Sequence, residues 1–128
     1  MRIVAFAEGG YAAQERGKFD TDDMFAVTAR AGRFTDVDDI CSYIARVRDD
    51  IATFLRRGSA ESHERVVRSH YGGEVAEVEL LRIMLRHSTH HLRQLHWFME
   101  HVLLVPSTAP APEDLAGIVT PDELFEVR

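Results

Sequence analysis

Two histidines, His87 and His91, stand four residues apart in a run from Glu74 to about Val105 that contains neither Pro nor Gly. On a helix turning about 100° per residue they project from adjacent turns of one face. Two imidazole nitrogens placed that way can converge on a divalent metal ion. Leu80, Met84, Leu95, Phe98 and Val102 share the stripe, with Gln94 beside it, while Arg82, Arg86, Arg93 and Glu100 point the opposite way. Charge has been kept off this face, yet the histidines have not. Helical His-x-x-x-His spacing also arises by chance, and a pair of core histidines bonded to Gln94, to backbone or to buried water gives the same pattern. His90 lies about 60° from the His87 direction and reads as a helix-surface residue. Arg93 reads as a surface ion-pair former. No general base and no nucleophile accompanies the pair, so the catalytic residues stay unassigned.

The elements that would position this pair follow from periodicity. Residues 3–15 read as a helix with Val4, Ala7 and Tyr11 on one side, weakened by Gly9 and Gly10 at about 1 kcal/mol each relative to alanine. Residues 17–34 have weak periodicity and three aspartates, which predicts a connection with one helical turn around Met24–Val27. Thr35, followed by Asp36 and Asp38, predicts an N-cap with acidic residues in the first turn. A helix over 36–57 follows, with Val37, Ile40, Cys41, Ile44, Val47, Ile51, Phe54 and Leu55 recurring every three or four residues. Arg56, Arg57 and Gly58 end it, and Cys41 reads as a small core residue. Residues 59–73 read as a short extended piece whose His63 and His70 are exposed. The long helix then spans 74–104. A Pro/Ala/Ser stretch opens the extended tail 105–128, Leu115–Val119 is apolar enough to pack back, and Thr120-Pro121-Asp122-Glu123 predicts a last helical turn.

Bulk properties narrow the classes. A chain of 128 residues fits one domain with one core, here all-α. Its net charge of −6 argues against nucleic-acid binding, which needs a clustered basic face. The single cysteine, Cys41, rules out an internal disulfide framework and fits a reducing, cytoplasmic compartment. No apolar run approaches the length of a membrane span, and Glu8 interrupts the first apolar stretch too early for a signal peptide. On the first helix Glu8 itself reads as a solvated glutamate.

With those residues placed, the chain resembles the DinB-like superfamily of four-helix bundles. The likeness is greatest to a branch whose last helix carries tryptophan-His-Ser-x-x-His-x-Arg-Gln-Leu. Here the signature reads His87-Ser88-Thr89-His90-His91-Leu92-Arg93-Gln94-Leu95, with Arg86 at the tryptophan position, and the branch's tail is matched by Asp114 to Pro121. Upstream, Ile3 to Glu8 resembles the family's second helix, and Val66 to Gly72 its short segment before the last helix. The family's first helix has no counterpart ahead of Met1. The resemblance implies a divalent metal, zinc or nickel, held by three histidines, which in several relatives activates a low-molecular-weight thiol for transfer chemistry. Two of the ligands carry over as His87 and His91. The third falls at Arg2, whose guanidinium has no lone pair to give, so any metal is expected to bind weakly or not at all. The alternative is a non-catalytic helical interaction module with a decayed site. The face vacated by the absent helix predicts self-association as a two-fold dimer.

Overall fold

The computed structural model describes residues 2–19, 21–58, 64–69 and 73–125, and they are mostly helical. The order is α1 (Arg2–Arg16), β1 (Lys18–Phe19), α2 (Thr21–Ala31), α3 (Val37–Arg57), β2 (Val66–Ser69), β3 (Gly73–Ala76) and α4 (Glu77–His101). The chain divides into two compact units, Met1–Met84 and Leu85–Arg128, with the division falling inside α4. No described helix is long and apolar enough to cross a membrane.

The helices expected over 3–15 and 36–57 are present as α1 and α3. Three boundaries differ. Residues 21–31 form a full helix, α2, where a connection with one turn was expected. Asp22 and Asp23 occupy its first turn and Arg30 its last, matching the helix dipole. Among the described side chains of α2, Val27 and Ala31 are the buried ones, a narrow stripe that gives a sparse apolar signal. The long helix starts at Glu77 and not at 74, because Gly73–Ala76 pairs antiparallel with β2. α3 is capped by Asp36 and not Thr35: the Asp36 carboxylate accepts from the amides of Asp38 at 2.8 Å and Asp39 at 3.3 Å. His63 and His70 lie outside the described residues.

In the first unit the small sheet has the order β1-β2-β3, with β1 parallel to β2. Gly17, at φ +74, makes the left-handed turn that takes α1 into β1. The buried core joins Ala5 and Phe6 of α1, Val27 and Ala31 of α2, Val67 of β2, and Leu80 and Met84 of α4. No α3 residue belongs to this cluster. α3 sits against α1 through the Tyr43 hydroxyl, which bonds to Glu8, and through the rings of Tyr11 and Phe54, 6.1 Å apart; Tyr43 and Val47 are its buried residues. Cys41 is exposed, as are Val37, Ile44 and Leu55, so only part of the apolar arc of α3 faces inward. The arc is wider than one neighbouring helix can cover.

Gly10 has a packing reason. A Cβ at this position would stand 2.8 Å from Met84 Sδ and 2.9 Å from its Cγ, closer than atoms tolerate. Gly10→Val should therefore lower stability by about 2 kcal/mol, overpacking outweighing any helix-propensity gain. Chemical denaturation reads the loss, and adding Met84→Ala should recover part of it.

In the second unit the chain turns three residues after the end of α4, at a left-handed residue that is not glycine. Leu104 has φ 53, and the amide of Val105 reaches back six residues to the carbonyl of Met99 at 2.9 Å, which satisfies one of the last carbonyls of the helix. Beyond it, 112–117 form successive tight turns, and no helical turn forms over 120–125.

Candidate functional site

Two polar clusters stand out, one in each unit. In the first, the buried Glu8 of α1 takes hydrogen bonds from three side chains on two other helices. Arg30 of α2 and the Tyr43 hydroxyl of α3 both donate to Oε2, and Arg46 of α3 donates to Oε1 at 2.9 Å. The sequence reading of Glu8 as solvated is thus corrected. Helical spacing sets Glu8 near Ala5 on the inward side of α1, where a carboxylate persists only if paired and hydrogen-bonded. Burial pushes its carboxyl up, but the bonds from Tyr43, Arg30 and Arg46 outweigh that and hold it below its ordinary 4.5. Burial, then the hydrogen bond to Glu8 and the Glu8 charge, pushes the Tyr43 phenol up to about 12. The Arg46 guanidinium lies 5.1 Å over the Tyr43 ring, and Phe34 stacks on the same ring at 4.5 Å. Every oxygen of Glu8 is engaged inside the protein. The cluster is a staple joining α1, α2 and α3.

The second cluster contains the histidine pair. His87 and His91 are half-buried, with ring centroids 4.5 Å apart and planes at 78°. His91 Nδ1 lies 2.7 Å from Gln94 Oε1, while Gln94 Nε2 lies 2.5 Å from the Leu124 carbonyl and 3.2 Å from His90 Nε2. These contacts determine the protons. A carbonyl only accepts, so the amide nitrogen must face Leu124, and Oε1 must face His91. His91 Nδ1 is then the donor, and in the neutral ring its Nε2 carries the lone pair. That is the orientation in which metal-ligating histidines are held.

His90 differs from its expected surface position. It is half-buried, its Nε2 accepts from the Gln94 amide, and its proton therefore sits on Nδ1, which is buried with no hydrogen-bond partner among the described residues. To ligate a metal through Nδ1 it would need a proton on Nε2, facing another donor. His90 thus does not fit as a third ligand while Gln94 keeps this orientation. Among the described residues no group of three or more His, Cys, Asp or Glu side chains could hold a metal. Arg2 opens α1, and its side chain lies outside what the structure describes. The donor set therefore fits a half-filled shell of two imidazoles.

Arg93, expected on the surface, is half-buried and anchors the tail: its Nη1 donates to Thr120 Oγ1 at 2.5 Å and to the Pro121 carbonyl at 2.9 Å. Trp97 meets Phe125 edge to face at 5.0 Å, and Ser107 links His96 to Glu100. Leu95, Phe98 and Val102, expected in the core, are exposed. Compared with family models, with curated proteins and with solved structures, the chain matches none of them.

Proposed function

We propose that this chain is a divergent DinB-like helical protein whose remaining chemistry is weak divalent-metal binding by His87 and His91. The observation that carries the reading is Gln94. Its amide, oriented by Leu124, holds the proton of His91 on Nδ1 and leaves Nε2 as the donor toward a cation. A bound zinc or nickel ion would supply Lewis acidity toward water or a small thiol. Two neutral imidazoles leave half of a tetrahedral shell to water or to an oxygen ligand, so affinity falls short of a structural zinc site.

The second reading, a non-catalytic interaction module, is favoured by the commitment of Arg93 and Gln94 to the tail. Both residues belong to the signature, and both have a structural task that requires no substrate.

Calorimetric titration with zinc chloride separates the two. One weak site should appear, should vanish in His87→Ala and in His91→Ala, and should weaken about 10- to 100-fold in Gln94→Leu. Heat that is absent, or unchanged by all three replacements, would leave the interaction module as the better account.

A further inference from the structure

α3 carries a second apolar seam that the body of the first unit leaves exposed. The Glu8 contacts define its inward side as Tyr43, Arg46 and Val47. On the other side Val37, Cys41, Ile44, Arg48, Ile51 and Leu55 recur at intervals of four and three, an a/d heptad along the whole helix that is broken by charge at Arg48 and is half-buried at Ile51. Val37 is 70% exposed, Ile44 42% and Leu55 48%, and Cys41 and Arg48 are exposed as well. A strict 3.5-residue repeat is the pattern of a helix that pairs with another helix.

We propose that this seam pairs with the same seam of a second copy, antiparallel, about a two-fold axis level with residue 46. The charge on the helix selects both occupant and direction. Asp36, Asp38 and Asp39 lie at the N-terminal end, and Arg56 and Arg57 at the C-terminal end. Antiparallel pairing brings each acidic end against the other copy's basic end and opposes the two helix dipoles. Parallel pairing would set aspartates against aspartates and arginines against arginines. The register closes: Val37 meets the second copy's Leu55, Cys41 its Ile51, and Ile44 its Arg48, each an a position against a d position. Arg48 is the polar layer, which sets register and weakens the pair, its stem packing on Ile44 while its head stays in water.

The pairing makes a definite statement about thiols. Cys41 of the two copies would lie about 15 Å apart along the axis, too far for a disulfide, whereas parallel pairing would place them face to face. Sedimentation equilibrium of the full chain across the micromolar range should show a monomer–dimer equilibrium. Ile44→Asp, at an exposed position, should abolish it without changing the far-ultraviolet circular dichroism. Arg48→Leu should tighten it by about tenfold or more, by replacing the polar layer with an apolar one. Mild oxidation should join Ile51→Cys chains through Cys41 of another copy, and leave the wild-type chain uncrosslinked. A monomer across that range, a dimer that survives Ile44→Asp, or a wild-type dimer joined through Cys41 would each overturn the proposal.

Discussion

Replacing Glu8 by alanine should lower stability by about 2–3 kcal/mol, below the 3–5 kcal/mol typical of breaking a fully buried pair because Arg30 and Arg46 keep roughly half of their side-chain exposure. The loss comes from three bonds ending on one carboxylate and from the Tyr43 hydroxyl, which is buried and left without its acceptor. It should fall mainly on α3, because no α3 residue belongs to the buried apolar cluster. Hydrogen exchange should therefore quicken in α3 before it does in α1 or α4. The pH dependence has a definite sign. With Glu8 held below its ordinary 4.5, the folded protein binds fewer protons than the unfolded chain in that interval. Its contribution is fully present above pH about 4.5 and is lost as pH falls through the folded value. Tyr43, raised to about 12 from 10.0, acts at the other end: its contribution is present below pH about 10 and is lost as pH rises through about 12. Glu8→Gln should flatten the acid limb of a denaturation profile, and Tyr43→Phe the alkaline limb. Equal pH dependence in all three proteins would mean that the cluster contributes nothing to folding.

Leu80→Ala and Leu95→Ala, two truncations on one sequence stripe, should differ severalfold. Leu80 is fully buried among the residues of α1, α2 and β2, and its truncation should cost about 3–4 kcal/mol in lost transfer energy and cavity. Leu95 is 47% exposed, and the same change there should cost about 1 kcal/mol or less. Urea denaturation of the two variants gives the comparison directly. Similar losses would show that the second half of α4 is covered in solution.

That contrast also marks what the sequence made legible. Periodicity located α1, α3 and α4 because each carries apolar residues at helical spacing over several turns. It could not tell how far along a stripe burial extends, since exposure at Leu95, Phe98 and Val102 depends on what the rest of the chain brings near them. α2 was missed because its sequence, with three aspartates nearby and few apolar residues, carries almost no periodic signal. Of the site, the facing of His87 and His91 and the Gln94 contact were readable from angle alone. The Glu8 staple was not, because its partners come from positions 30, 43 and 46 and no local pattern links them. One signal existed: a carboxylate among Val4, Ala5, Phe6, Ala7, Gly9 and Gly10 has few ways to stay in water. Arg93 was misread for a related reason. Its partners are a hydroxyl and a carbonyl of a segment whose own sequence looks like a helix start, and the guanidinium binds those oxygens in place of a new helix.

The left-handed turn at Leu104 has a consequence for how strongly the tail must hold. Because the chain doubles back there, the 118–125 segment meets α4 as a tethered ligand and not as a free one. A short flexible tether presents its end at an effective concentration of roughly millimolar. At that concentration contacts totalling about 4 kcal/mol keep a segment seated half of the time. The same contacts made by a severed peptide at micromolar concentration would leave almost every α4 bare. The anchors on Arg93, Gln94 and Trp97 can therefore each be weak, and the covalent path through residues 102–117 supplies the difference.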